Sequence, residues 1–440
     1  MLNVGQKLLL SRFLTRMGDQ AWDFAVPVTV AILFPDQLSL VAAIFLSTKA
    51  GIVLFQPKVA SFIDRWSRWR TAVAGVTVQL LSVILIAWSM QLLVRQPEMA
   101  SAGTELSAFS VFLLVVVTAC SITSTLGSGV MDIAVGQDWL PLVIDKPQLS
   151  VVNSRMKRID LLTEVFAPVI AGILLSLELN SILLSGFMLV AFWNVCSFIP
   201  ELILLRSVFI SSAELKTQSV LVSKERTGLV FAGILSGWRE FFAHPVALSM
   251  VAYSCLWFSV LSPHGVLLTS FLKGSWKVSE PMLGIFRAAG AVFGLTATFL
   301  FPLIRRRIGL TRATALFIQC QAVAVVLALV FFFAGSLNGA AFLLMVLFSR
   351  IGLYGFSIGE GEIRQLNLAD GMRGKISGVA TALNSVATLF IFALGSFLPS
   401  HEQFFVLVIA SVCAVVIGSV LFQLWTRRAA TGMEATQPEQ

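Results

Sequence analysis

Two carboxylates lie inside an apolar stretch near the start of the chain, in the segment MGDQAWDFAV. If this stretch crosses a membrane as a helix, a charged side chain at its centre costs about 2.5–3.5 kcal/mol or more. Residues four positions apart lie on one helix face, so Thr15, Asp19 and Asp23 are predicted to share one side. Oxygen ligands of this kind suit hard or borderline divalent cations, and such a cation would neutralise both acids.

A later apolar segment, FWNVCSFIPELILL, carries a second polar face. Asn194, Ser197 and Glu201 occupy positions i, i+3 and i+7, which again places them on one side of a helix. Gln79 adds an amide within the apolar stretch VTVQLLSV. We predict that these residues and the two acids converge on one metal-binding pocket.

These residues also allow a purely structural interpretation. Asp19 could pair with Arg12 or Arg16 near the end of its helix. Asp23 could pair with Lys49 or stay protonated. The amides and hydroxyls could only hydrogen-bond neighbouring helices, as such groups often do in membranes. The joint pattern favours a cation site over these separate explanations.

A histidine stands in the middle of another apolar segment, YSCLWFSVLSPHGVLLTSF. His264 lies between Pro263, which lacks a backbone donor, and Gly265, which loosens the turn. A span broken at its midpoint beside an ionisable residue is typical of transporter binding sites. We predict a second metal site at His264; the alternative is a neutral imidazole that hydrogen-bonds a neighbouring helix.

The composition identifies the elements that must position these residues. The chain of 440 residues is 57% apolar and 12% charged, with a mean hydropathy of +0.89, whereas soluble domains are about 25% charged. Apolar runs of roughly 20 residues recur from end to end, and each could cross a bilayer. We predict an all-α polytopic membrane protein with about twelve transmembrane helices, and a β-barrel is excluded because it would show alternating segments of about ten residues.

Basic residues alternate with the predicted spans. They cluster in the loops after even-numbered spans, so the positive-inside rule predicts that both termini face the cytoplasm. This placement explains the net charge of +8 without a nucleic-acid partner. The five cysteines stand singly in apolar stretches and predict neither a disulfide framework nor a cysteine metal site.

The longest polar break divides the predicted spans six and six, which is typical of two-lobed secondary transporters. Short basic loops, FIDRWSRWRTA and PLIRRRIGLTRAT, occur at the same place in each half. We predict a six-helix N-terminal lobe over 1–206, a cytoplasmic linker over 207–243, a six-helix C-terminal lobe over 244–428 and a disordered tail over 429–440.

Further ionisable residues lie near the predicted cytoplasmic ends of the spans. Their polarity predicts a gate or latch between helices. The predicted members are Asp64, Arg68, Asp138, Arg158 and Asp160. Glu360, Glu362 and Arg364 are predicted to form a separate group of ion pairs.

Several of these segments resemble the ferroportins, iron exporters of the major facilitator type. MGDQAWDFAV resembles the Gly-Asp-x-x-Trp-x-Phe-Ala segment of span 1, and FWNVCSFIPE resembles a Trp-Asn-x-x-Ser-x-x-x-Glu stretch of span 6. GQDWLPLVI, RIDLLTEVFAPVIAG, RRRIGLTRAT and SRIGLYGF resemble further family segments, so the similarity runs over most of the chain. The resemblance implies the major facilitator fold and a bacterial inner-membrane location.

The resemblance also implies roles for individual residues. Asp19 matches the aspartate of the family's N-lobe metal site. Gln79, Asn194 and Glu201 match the polar residues that complete this lobe, where Ca²⁺ is associated with transport.

Other positions depart from the vertebrate members of the family. Asp23 stands where they have a histidine, and His264 stands where they have an aspartate. Gly265 and Ile391 replace their cysteine and their span 11 histidine. Hormone control through that cysteine is therefore not expected.

The favoured function is efflux of a divalent transition metal, with Fe²⁺ preferred over Co²⁺, Ni²⁺, Zn²⁺ and Mn²⁺, by alternating access. Because metal ligands must be deprotonated, exchange for protons is expected. We expect a monomer without a prosthetic group, and no nucleophile–base set or nucleotide motif indicates an enzyme. The alternative function is proton-coupled export of organic cations or drugs.

Overall fold

The computed structural model describes residues 2–34, 38–96, 106–177, 185–217, 230–334, 338–398 and 401–434. Within these ranges the backbone is helical apart from short turns and connections. The first half contains α1 (Val4–Leu33), α2 (Leu38–Ala60), α3 (Phe62–Arg65), α4 (Arg68–Leu93), α5 (Ala108–Ile133), a π-helical turn (Ala134–Trp139), α6 (Leu140–Val143), α7 (Lys146–Leu175) and α8 (Ser185–Ser211).

The second half begins with an amphipathic helix and continues with the later spans. It contains α9 (Val230–Ala243), α10 (Ala247–Trp257), α11 (Val266–Gly274), α12 (Glu280–Ile308), α13 (Leu310–Phe333), α14 (Gly339–Asn367), α15 (Arg373–Phe397), a 3-10 turn (His401–Gln403) and α16 (Phe404–Glu434). Residues 218–229 of the predicted linker and 435–440 of the predicted tail lie outside the described residues. The helix α16 continues to Glu434, so residues 429–434 of the predicted disordered tail are helical.

These helices account for the twelve predicted spans. Nine helical segments in the described ranges are long and apolar enough to cross a membrane. The helices α1 and α7 have 30 residues each but carry more charged side chains than those nine. The predicted seventh span, which contains His264, is divided between α10 and α11. The predicted helical fold and the broken seventh span are therefore confirmed.

The outer surface is apolar, as a bilayer requires. Ile32, Trp88 and Phe192 are each more than 60% exposed, and many other large apolar side chains are also exposed. A soluble monomer rarely exposes contiguous apolar patches of this extent. The composition and the surface therefore agree that this is a multi-pass membrane protein.

Local sequence determines where several helices begin. Asn3 and Gln6 form a reciprocal capping box at the start of α1, with bonds of 2.8 and 3.0 Å. Ser107 accepts the Ser110 backbone N–H at the start of α5. Gly309 adopts φ 82°, which lets α12 end and α13 begin without a longer loop.

The chain divides into two compact units. The first comprises Met1–Asp145, Leu162–Ile234 and Asp370–Thr381. In it α1 packs on α8, while α5 packs on both α2 and α4. Trp22 of α1 stacks on Phe187 of α8, with ring centroids 5.2 Å apart.

The second unit comprises Lys146–Leu161, Leu235–Ala369 and Ala382–Gln440. In it α14 packs on α12 and α13, and α16 packs on α10 and α13. The lobe and linker boundaries drawn from the sequence stay a prediction.

Three glycines of α14 allow the backbone to approach α13 closely. A Cβ on Gly352 would lie 2.5 Å from Cβ and 2.6 Å from the backbone nitrogen of Gln321. Gly355 and Gly359 face Phe317 and Thr314 in the same way. Small residues at this spacing are a common basis of helix packing in membranes.

We expect Gly352→Val to destabilise the second unit, because its Cβ would meet the α13 backbone and overpacking costs about 1–3 kcal/mol or more. The measurement is the thermal unfolding midpoint of the purified protein in detergent. Gly284→Val in α12 is the matched control, since nothing lies within 4 Å of a Cβ at that position. Equal losses in the two variants would show that helix propensity, and not packing, causes the change.

Candidate functional site

The polar face of α1 lines a cavity in the first unit. The cavity has a volume of about 170 Å³, and Asp19 and Asp23 of α1 both line it. Asp19 accepts a hydrogen bond of 2.5 Å from the Ser128 hydroxyl of α5. The other residues that line the cavity are Arg16, Trp22, Ile52, Gln56, Ser124, Thr125, Ser128, Gly129, Asp132 and Thr381. The two acids predicted to lie on one helix face therefore share one polar cavity.

The nearby arginines of α1 bind a different carboxylate. Arg12 and Arg16 each donate to one oxygen of Asp132 in α5, at 2.5 Å. Arg16 also acts electrostatically on Asp19. Both arginines therefore make direct ion pairs with Asp132, and Arg16 contributes to the charge balance of both acids.

The second acid of the cavity, Asp23, has a basic neighbour in α2. Lys49 is the opposite charge that acts most strongly on Asp23. The Lys49 ammonium also lies 5.6 Å from the centroid of the Phe45 ring. The charge balance of the cavity therefore includes Lys49 as well as the two acids.

The amide of Asn194 in α8 lies directly against α1. Its Nδ2 donates to the Gly18 carbonyl at 3.3 Å, whereas its buried Oδ1 has no hydrogen-bond partner in the protein. A Cβ on Gly18 would lie 2.8 Å from this Oδ1 and 3.2 Å from the Ser197 hydroxyl. Gly18 therefore provides the space in which Asn194 and Ser197 approach α1.

Three other predicted ligands are buried in the same unit. Thr15 donates to the Ser11 carbonyl at 3.0 Å. Oε1 of Gln79 has no hydrogen-bond partner in the protein, and the Thr15 hydroxyl lies beside the Glu201 carboxylate. Glu201 is fully buried, and the charge of Asp19 acts electrostatically on it. Buried oxygens without partners are unfavourable unless an ion, a ligand or water contacts them.

The remaining predicted ligand, His264, belongs to the second unit. It lies in the break between α10 and α11, half-buried, and a Cβ on Gly290 of α12 would lie 3.5 Å from its Cε1. Arg350 donates to the Leu261 carbonyl at 2.6 Å, and the Val260 N–H donates to Ser411 at 2.9 Å. Side chains of α14 and α16 therefore satisfy backbone groups that the broken helix leaves free.

The predicted ligands differ in chemical type between the two units. Among the described residues, no three His, Cys, Asp or Glu side chains form a group that could hold a metal ion. The candidate donors of the first unit therefore include amide and hydroxyl oxygens beside the carboxylates. Oxygen donors of this kind favour hard or borderline cations over soft ones.

Sequence reasoning missed Ser128 and Gln56 at this cavity. A signal for Ser128 was present, because Ser121, Thr125, Ser128 and Asp132 recur at helical spacing along span 4. Gln56 stands alone in the apolar α2, so no periodicity distinguishes it.

The predicted latch residues Asp64, Arg68 and Asp138 lie in the first unit. Arg68 is buried and donates to Asp138 at 2.7 and 3.1 Å and to Asp370 at 2.6 Å. Arg373 donates to the Asp138 carbonyl at 3.2 Å. These side chains join α4, the π-helical turn and the start of α15 in one buried network.

The carboxylate of Asp64 binds backbone N–H groups at the same end of α15. Its two oxygens accept the N–H groups of Gly374 and Lys375 at 2.8 and 2.7 Å. Arg158 lies elsewhere, in the second unit, with its guanidinium 3.6 Å from the Phe299 ring centroid. The adjacent Asp160 is half-buried in α7. The structure thus brings together three of the five predicted latch residues.

The helices, the broken seventh span and the polar cavity are those of a multi-pass membrane protein of the major facilitator fold. A proton:xylose symporter of that superfamily shows the same fold, with a TM-score of 0.65 at 14% identity over 96% of this chain and 94% of the symporter. The family model described as Ferroportin1 (FPN1) matches residues 3–415. The chain therefore belongs to the ferroportin family, which confirms the resemblance found in the sequence.

Two kinds of relative support this assignment. "Ferreportin" of Bdellovibrio bacteriovorus is 37% identical over 429 residues, which cover 97% of this chain and 96% of the relative. Crystal structures of a bacterial homologue of the iron transporter ferroportin in an outward-facing state, without and with soaked iron, give TM-scores of 0.88 and 0.87. Both are 36% identical and cover 97% of this chain and 100% of their own.

We expect Asp138→Asn to destabilise the first unit, because it leaves the buried guanidinium of Arg68 facing a neutral amide. Removing one partner of a buried ion pair costs about 3–5 kcal/mol. The measurement is again the thermal unfolding midpoint in detergent. Asp145→Asn, at an exposed position, is the matched control. An unchanged midpoint for Asp138→Asn would contradict a stabilising role of the network.

Proposed function

We propose that this protein exports a divalent transition metal, with Fe²⁺ as the preferred substrate and Co²⁺, Ni²⁺, Zn²⁺ and Mn²⁺ as further substrates. The observation that carries the proposal is the pair Asp19 and Asp23, which face one polar cavity inside the membrane-spanning helices. A divalent cation would offset the two negative charges that the apolar surroundings disfavour. The homologue whose crystals were soaked with iron supports iron as the substrate.

Asp19 is the central ligand of the proposed site. Its carboxylate has a hydroxyl hydrogen-bond donor in Ser128, while Asn194 presents a buried oxygen without a partner in the protein and Glu201 presents a buried carboxylate. Thr15, Ser197, Asp23 and Gln79 are the proposed assisting residues. The same oxygens suit Ca²⁺, which would act as a regulator in this unit.

His264 is the proposed ligand of a second site, in the second unit. The break between α10 and α11 exposes backbone groups beside its imidazole, which is a common transition-metal ligand. Because a proton and a metal compete for the same lone pair, protonation of His264 or Asp23 would drive release. The proposal therefore includes exchange of the metal for protons.

Alternating access completes the proposed mechanism. Such a transition requires packed elements that have two discrete arrangements. The buried bonds from Arg68 to Asp138 and Asp370, and from Asp64 to the start of α15, are contacts that one arrangement would keep and the other would break. We propose that these residues act as a latch, in a monomer of the bacterial inner membrane with both termini in the cytoplasm.

The size of the cavity favours an ion over an organic cation. Pockets for drug-sized ligands have volumes of about 300–1,000 Å³, whereas this cavity has about 170 Å³. Its lining contains one aromatic residue, Trp22, and otherwise provides mainly charged and oxygen-bearing side chains. Export of drugs therefore remains the weaker candidate.

We expect Asp19→Ala to reduce metal flux at least tenfold, because it removes the central carboxylate of the site. The measurement is Fe²⁺ and Co²⁺ flux in proteoliposomes, with the internal pH followed at the same time. Glu214→Ala, at an exposed position, is the control. Organic-cation flux in the absence of metal flux would refute the proposed substrate.

We expect His264→Ala to weaken the pH dependence of metal flux between about pH 5 and 8, where histidine titrates. With the imidazole present, protons displace the metal as the pH falls, and this competition is lost in the variant. His401→Ala, at the 3-10 turn before α16, is the control. Identical pH profiles for His264→Ala and the unaltered protein would remove His264 from the site.

A further inference from the structure

Gln56 of α2 lines the same cavity as the two acids of α1. It is fully buried, and neither its Oε1 nor its Nε2 has a hydrogen-bond partner in the protein. Buried amides almost always have at least one partner, because an unsatisfied polar group is unfavourable. An amide with both ends unsatisfied beside a polar cavity therefore points to a ligand in that cavity.

The neighbouring helix has a glycine where Gln56 needs space. A Cβ on Gly129 of α5 would lie 2.7 Å from Nε2 and 3.0 Å from Oε1 of Gln56. These separations are shorter than van der Waals contact, so the amide can occupy this position only beside a glycine. Gly129 therefore leaves the space that the Gln56 amide occupies.

The groups around the cavity suit a cation. The Ser128 hydroxyl donates a hydrogen bond to Asp19, and the Thr125 hydroxyl donates a hydrogen bond to the Ser121 carbonyl. Both hydroxyl oxygens therefore keep lone pairs that can accept a hydrogen bond or coordinate a cation. With the carboxylates of Asp19 and Asp23, these hydroxyls give the cavity several oxygen donors, and the Arg16 guanidinium that also lines it is paired with Asp132.

We propose that Oε1 of Gln56 is a ligand of the transported cation while the cation occupies this cavity with Asp19 and Asp23. The inference rests on the proposed function and extends it to α2. A neutral amide oxygen adds a hard donor without adding further charge to a cavity whose charge balance already includes Arg16 and Lys49. Such a donor favours Fe²⁺, Mn²⁺ and Co²⁺ over softer ions.

The test compares Gln56→Leu with the unaltered protein, using the full chain in detergent and Co²⁺ as the probe. Leucine has a similar size but no polar atoms. We expect the Kd for Co²⁺ to rise about ten- to a hundredfold, since even partners outside the first coordination shell contribute on this scale. The visible absorption of bound Co²⁺, which reports its ligands, is expected to change as well.

Two further variants separate ligation from packing. Gln56→Glu keeps an oxygen donor at the same position, and we expect it to retain Co²⁺ binding. Gln321→Leu removes another buried amide, whose Oε1 is also without a partner, in α13 of the second unit. We expect this control to keep the Kd within about twofold, because removing an amide elsewhere changes no ligand.

The outcomes distinguish this inference from the proposed function. If Asp19→Ala loses Co²⁺ and Gln56→Leu binds it with unaltered Kd and absorption, the inference is wrong and the function stands. If the unaltered protein neither binds nor transports the metals, both fail. If Gln56→Leu does not fold, Gly129→Ala displaces the amide without removing it, and an unaltered Kd there would also overturn the inference.

Discussion

The free-energy cost of burying charge in an apolar medium is the constraint on which this structure depends. Several acids meet it with arginine: the half-buried Asp132 binds two guanidiniums of α1, and the buried Asp138 binds Arg68. In the second unit Glu360 pairs with Arg364. Asp19 differs, because its hydrogen bond comes from a neutral hydroxyl. An acid whose hydrogen bond comes from a neutral hydroxyl is the one whose charge a passing cation can offset, whereas the acids that bind arginine directly already have compensation.

The same constraint explains why the candidate site is rich in neutral oxygens. A cluster of carboxylates alone would repel itself when empty, and the described residues contain no group of three acidic, histidine or cysteine side chains suited to a metal. Amides carry no net charge and tolerate an empty site better, although their unsatisfied oxygens still cost free energy. Asn194 and Gln79 each use their nitrogen to donate to a helix backbone and leave the oxygen available. The hydrogen bond of the nitrogen fixes the orientation of the side chain, and the amide oxygen stays available as a ligand for a cation.

The sequence predicted the features that follow from periodicity and composition. Apolar runs located the spans, helical spacing placed Asp19 and Asp23 on one side, and the Pro-His-Gly segment predicted the break between α10 and α11. Partner choice was not predictable, because Arg12 and Arg16 bind an acid more than a hundred residues away in preference to a local one. Contacts between residues so far apart in sequence depend on helix packing. The packing of Gln56 against Gly129 likewise has no signal in the sequence of α2.

The two proposed sites differ in the hardness of their ligands, and this difference bears on selectivity. The cavity of the first unit provides oxygen donors, which hold Mn²⁺ and Mg²⁺ as well as Fe²⁺. His264 provides an imidazole, which suits Fe, Ni, Cu and Zn better than Mg or Ca. Affinity at one site alone cannot select Fe²⁺, because the intrinsic order of divalent ions places copper above it. An ion that must be bound by both ligand types in one cycle is restricted to the borderline metals, and Fe²⁺ is among them.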